Sequence, residues 1–216
     1  MAYWLASRTR GSDQRAFLGG GYALRFLLAF SRLIDGLNRR VGQTVYWMVL
    51  AAVLVSSGNA VVRYVFDYSS NAWLELQWYL YTSFFLLGAG YTLLRNEHVR
   101  IDIINSRLSA RARAWIDLLG GLFFLLPIAV LVMVLAWPVF TESFALHETS
   151  PSANGLLRWP VKLMIPVGFF LLALQGVSEI IKRAAFLMNL IPDPTPRHVH
   201  GEDELTPHDL VEGEGR

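Results

Sequence analysis

Cysteine is absent from the 216-residue sequence, which excludes disulfides, thiolate metal sites and thiol redox chemistry. A quinone-linked disulfide oxidase is ruled out on that ground. Charge is scarce too: 17% of residues are Asp, Glu, Lys or Arg, against 54% hydrophobic. A soluble core of this length does not need so much apolar content, so the chain is expected to lie in a membrane. The formal net charge of +2 is too small to indicate nucleic acid or an acidic substrate, and no nucleic-acid partner is expected.

The long apolar stretches themselves lack ionisable groups. Val45–Val62, Leu76–Leu94, Leu118–Phe140 and Leu163–Ser178 are free of charge. Each approaches the roughly 20 residues that carry a helix across a hydrocarbon core about 30 Å thick. The fourth run is lengthened by Lys162 and Glu179, whose side chains can reach toward the headgroups. Channels, pumps and proton-coupled carriers place ionisable residues at mid-depth, and these runs contain none. His98, His147, His198, His200 and His208 all fall outside the runs, so a bundle haem has no axial ligand. The three tail histidines lack companion ligands at a recognised metal spacing. Ser56, Ser57 and Ser83 have no base at membrane depth. No catalytic residue, cofactor or metal is implied.

What is present predicts an all-α membrane protein: four transmembrane helices with an N-terminal interfacial amphipathic helix. Residues 1–40 form a cytoplasmic arm carrying that helix. Residues 41–185 form the membrane domain, with spans at about 43–65, 74–94, 116–138 and 161–182. Residues 186–216, proline-rich and acidic, are expected to be a disordered cytoplasmic tail. Pro127, Pro138 and Pro166 lie in or beside the last two spans, where neighbouring helices can satisfy the freed carbonyls. In the arm, Phe26, Phe30, Leu33 and Leu37 repeat at helical spacing, with Arg25, Arg32 and Arg39 on a separate row and Asp35 and Asn38 on the far side. The pattern is that of a helix in the membrane interface, the reading preferred over a soluble helix packed on a partner, which shares it. No cleavable leader is expected, because the first long apolar run begins near Val45 with no small-residue cleavage site before it.

Orientation follows from the nineteen cations. Only Arg63, Arg158 and Lys162 fall on one side of the predicted bundle. The others lie in the arm, in the stretch RNEHVRIDIINSRLSARARAW (residues 95–115), or after the fourth span. Positive charge collects in the cytoplasm, so both termini and the 95–115 loop are expected there. The arginines near the third span are placed to meet lipid headgroups.

The same stretch, with His98-Val99-Arg100-Ile101-Asp102 at its core, resembles the small, DctQ-type permease subunit of tripartite ATP-independent periplasmic (TRAP) transporters. LLRWPVKLMIPVGFFLLALQG, residues 156–176, resembles the start of the fourth span of that family. The resemblance covers roughly residues 40–185. It implies a non-catalytic scaffold for a large permease, in a sodium-driven secondary transporter supplied with an organic acid by a periplasmic solute-binding protein. Implied partners are therefore the large subunit, the solute-binding protein and membrane lipid.

Six residues are candidate partner contacts. His98, Arg100 and Asp102 suit the large subunit, although a solvated loop with ordinary pairing carries the same residue types. Glu75 sits across the short outer connection from Arg63, and a structural ion pair between them is the plainer reading. Arg158 and Trp159 follow the polar segment HETSPSANG and are placed to meet the binding protein. Trp73, Trp78, Tyr79 and Tyr81 are expected in an aromatic belt. The residues alone leave open a stand-alone four-span protein, either a lipid-modifying enzyme or a self-assembling scaffold. The cation asymmetry makes one direct prediction: in this cysteine-free chain, Ser152→Cys labels from the periplasm with an impermeant reagent and Ser109→Cys only after permeabilisation. Labelling of both from outside would contradict the topology.

Overall fold

The computed structural model describes residues 10–68, 70–95 and 108–192, with side chains from Leu24 onward. Five α-helices make up the described chain: α1 (Arg10–Phe66), α2 (Asn71–Arg95), α3 (Ala110–Gly120), α4 (Leu126–Ala145) and α5 (Trp159–Leu187). A π-helical turn, Gly121–Leu125, joins α3 to α4 without a break. Pro127 supplies a reason for that turn. It has no N–H, and its ring crowds the carbonyl four residues back, so the helix widens before it and Leu126 N–H reaches Gly121 O instead.

α1 runs unbroken through 57 residues, roughly 85 Å at 1.5 Å per residue. The arm and the first span, expected to meet at residues 40/41, are therefore one continuous helix. Nothing in GLNRRVGQTV, residues 36–45, forces a stop, since proline is absent and the isolated glycines keep helical geometry. The other helix ends are punctuated. Asp67, His147 and Asn189 adopt left-handed backbone just past α1, α4 and α5, with φ of 49°, 46° and 58°. At α4 and α5 this closes the last turn: Glu148 N–H reaches Ser143 O and Leu190 N–H reaches Ala185 O, both at 3.0 Å. At the start of α3, Ser109 Oγ accepts the Ala112 N–H at 3.3 Å.

Among the described residues, three helical stretches are long and apolar enough to cross a membrane: Leu24–Phe66, Ala110–Ala145 and Trp159–Leu187. α2, expected as a fourth span, is 25 residues long but is not among them. Glu75, Gln77, Thr82, Ser83, two glycines and three tyrosines dilute its hydropathy.

α5 is the hub, packing against α1, α2, α3 and α4, while α1 and α2 also pack against each other. Most of its buried residues are small or polar, including Gly168, Ala173, Gln175, Gly176 and Ser178. Small side chains let helix backbones approach closely in lipid, where the hydrophobic effect does not hold one helix to another. A Cβ on Gly168 would lie 2.8 Å from both Cβ and the carbonyl oxygen of Leu86 on α2. Elsewhere the large apolar side chains face outward, among them Leu54, Phe85, Phe123 and Leu135. Gly168→Ala is thus predicted to destabilise the detergent-solubilised protein by about 1–3 kcal/mol in thermal unfolding. Gly58→Ala, which meets open space, should leave stability unchanged or raise it by up to about 1 kcal/mol. Equal effects would refute the close approach of α2 and α5.

Candidate functional site

Two polar constellations stand out against the apolar bundle, one at each end. The first lies between the N-terminal half of α1 and the C-terminal half of α5. Ser31, Asp35 and Asn38 recur at intervals of four and three residues, so they share one side of α1. Gln175, Ser178, Glu179 and Lys182 do the same on α5. Asp35 is the centre. Its Oδ1 accepts from Ser178 Oγ at 2.7 Å and from Gln175 Nε2 at 2.9 Å, and its Oδ2 lies 3.1 Å from Lys182 Nζ. Lys182 also donates to Glu179 Oε1 at 2.5 Å, so one ammonium serves two carboxylates. Asn38 Nδ2 donates to Gln175 Oε1 at 2.9 Å, and the Ser31 and Ser178 hydroxyls are 2.6 Å apart. Gly90 of α2 leaves room for the Asn38 amide, which a Cβ there would strike. Ser31, Asn38, Gln175 and Ser178 are completely buried or nearly so.

One turn further along α5, the guanidinium of Arg183 is buried and its Nη2 lies 3.4 Å from Asp117 Oδ2 on α3. Arg111 Nη2 donates to Asn189 Oδ1 at 2.7 Å, a second tie between α3 and the end of α5. Asp117, Glu179 and Arg183 also edge a cavity of about 510 Å³ whose other walls are largely apolar, formed by Leu93, Phe124 and Leu172 among others. A metal ion has no nest here, since no group of three or more His, Asp and Glu is suitably arranged among the described residues.

The second constellation is the connection between α4 and α5. Thr149 and Leu157 form an antiparallel bridge, and Arg158 N–H donates to Glu148 O at 2.8 Å, closing the segment into a small hairpin. Asn154 supplies the left-handed residue of its turn, φ 59°. Glu75 of α2 holds the hairpin down. One carboxylate oxygen accepts the Leu156 N–H at 2.7 Å and the other accepts the Ser150 hydroxyl. Asn71 Nδ2 adds a bond to Ala153 O at 3.4 Å. Glu148 receives the Lys162 ammonium and lies 3.6 Å from Arg158 Nη1. The Lys162 contact holds the Glu148 carboxyl below its ordinary range.

Glu75, Arg158 and Trp159 are therefore gathered at this end of the bundle, although Glu75 is not paired with Arg63 as expected. Its carboxylate is taken by the hairpin, whose backbone N–H lies within direct reach. Arg158 keeps 43% of its side chain exposed, and Trp159 packs edge-on against Phe144 with ring centroids 5.3 Å apart. His98, Arg100 and Asp102 lie outside the described residues, as do most of the proposed acidic tail and its histidines.

A family model described as "Tripartite ATP-independent periplasmic transporters, DctQ component" matches residues 52–186. The chain belongs to this family. It is thus the small membrane component of a TRAP transporter, a transport protein with partner subunits. Searches of curated proteins and of solved structures return no match. The DctQ match takes in α2, α3, α4 and nearly all of α5, including Gln175, Ser178, Glu179 and Lys182, but starts within α1 beyond Ser31, Asp35 and Asn38.

The α1–α5 network is not legible in either segment alone, because helical spacing places Asp35 and Asn38 only on the far side of the helix from its apolar stripe, and Glu179 only at the end of a span. The matching 3–4 spacing of polar residues in the two segments, with an acid in one and a lysine in the other, is the signal that points to it. Removing Lys182 leaves two carboxylates without their shared cation, whereas Asp35→Asn keeps the shape and loses one charge. Lys182→Met is accordingly predicted to lower thermal stability more than Asp35→Asn, with a coupling of about 1–3 kcal/mol in the double-mutant cycle. Additive effects would mean that the pair is not coupled.

Proposed function

We propose that this DctQ component is a non-catalytic scaffold of four membrane spans in the bacterial inner membrane, with both termini cytoplasmic. It holds the large permease subunit while that subunit carries an organic acid, delivered by a periplasmic solute-binding protein and driven by sodium. The family match is the observation that carries this reading. Two features support it. The helices are cross-linked at both ends, by the Asp35–Lys182 network and by the Glu75-anchored hairpin, which suits a fixed support rather than a moving carrier. α2 supplies the fourth span, since it is roughly 37 Å long and packs between α1 and α5, both of which are long and apolar enough to cross.

On this reading the half-exposed Arg158 and the neighbouring Trp159 are the outer contacts for the binding protein, and Glu75 shapes the hairpin that presents them. His98, Arg100 and Asp102 serve the cytoplasmic contact with the large subunit. Arginine suits that role because its planar guanidinium grips a carboxylate through two parallel bonds, which lysine cannot reproduce.

The test is co-purification and uptake at matched expression. Deleting this chain is expected to abolish solute uptake, and Arg100→Lys to lower the yield of co-purified large subunit about tenfold or less, the loss of one good charge-assisted bond. Normal uptake by the large subunit and binding protein alone would remove the scaffold role.

A further inference from the structure

The N-terminal half of α1 is amphipathic in an unusual sense: its polar side is the one packed on protein. Ser31, Asp35 and Asn38 are engaged on α5, and Ile34 is buried beside them. That engagement fixes the rotation of the helix, and the large apolar residues are turned outward by it. Phe26 and Leu33 are 71% and 68% exposed, and Phe30 and Leu37 lie on the same stripe. Arg25, Arg32 and Arg39, all exposed, recur every seven residues. Seven residues fall only about 20° short of two full turns, so the three guanidiniums form one row along the helix. Between the row and the stripe lie the small Ala29 and Gly36 and, at the far end of the segment, the exposed Arg40; a Cβ on Gly36 would meet open space. The outward surface of this segment is therefore an apolar ridge beside a cationic ridge.

We infer that residues 24–40 of α1 form a docking surface for anionic phospholipid in the cytoplasmic leaflet. The apolar stripe enters the acyl region, and the Arg25, Arg32 and Arg39 row meets the headgroup phosphates. Charge complementarity selects this occupant, because guanidinium rows pair with phosphate and each cation near an anionic surface adds to the attraction. Continuity selects it too, since α1 runs without interruption from this segment into the charge-free run Val45–Val62, which is apolar enough to cross a membrane. An apolar face with basic residues along its flank suits a helical segment at the boundary between lipid and water. The α5 network then has a further consequence. It turns the ridge toward lipid before any lipid binds, so little rotation remains to be restricted on docking. The inference rests on the membrane placement proposed above, and its test separates the two.

The full chain, which has no native cysteine, is reconstituted into phosphatidylcholine vesicles with and without phosphatidylglycerol. An environment-sensitive fluorophore on Leu33→Cys reports the ridge, and one on Leu131→Cys, an exposed position of α4, reports insertion. Quenching by spin-labelled lipid is expected at position 131 in both vesicles. At position 33 it is expected to be about twofold greater with phosphatidylglycerol, with the excess lost in high salt and in the Arg25→Gln, Arg32→Gln, Arg39→Gln triple variant. Failure at position 131 would undo the membrane placement itself. With position 131 quenched, equal quenching at 33 in the two lipids, or no effect of the triple variant, would overturn the lipid assignment. Loss of the phosphatidylglycerol effect once the large subunit is bound would assign the ridge to that protein instead.

Discussion

Helices in lipid are not pressed together by water, so this bundle depends on what α5 offers its neighbours. It offers closeness and polar bonds. Gly168 and Gly176 let α2 and the π turn approach, and Gln175, Ser178 and Lys182 bond across to α1. In a low-dielectric setting a satisfied hydrogen bond is stronger than in water, and an unsatisfied polar group is costly. The polar residues therefore specify one register of α1 against α5, while the large apolar side chains remain free to face lipid.

The two ends of the bundle are tied by different chemistry. At the α4–α5 end a backbone segment is held: the Glu75 carboxylate accepts an N–H and a hydroxyl from the hairpin, and Glu148 gathers Lys162 and Arg158. At the opposite end side chains hold side chains, through Asp35, Glu179 and Lys182 and through Arg183 and Asp117. The first arrangement shapes a loop. The second fixes the pose of a long helix whose large apolar side chains face outward. Both arrangements suit a DctQ component, which works as one part of a transporter assembly.

Much of this could be read in the sequence. The charge-free runs identified the stretches that become α1, α2, α4 and α5, and the family resemblance resting on residues 95–115 and 156–176 agrees with the match over residues 52–186. The hairpin was legible only as a flexible polar segment, because Ser150 and Leu156 look like ordinary loop residues until Glu75 is brought beneath them. The lower hydropathy of α2 was hidden by a rule that counted charges alone. Its tyrosines, glycines and hydroxyls carry no charge, yet they lower the transfer free energy that favours lipid.

The sequence by itself determined the class of the protein, since run length and the placement of cations depend only on the order of residues and on the thickness and potential of a bilayer. It determined, too, which residues share a side of each helix, because 3.6 residues per turn is a local property. Which of those sides faces protein was decided only by the tertiary structure. Asp35 and Asn38 meet water in an isolated interfacial helix and meet Gln175, Ser178 and Lys182 in the bundle. The helical pattern is the same in both cases, and only a partner 140 or so residues away in the chain distinguishes them.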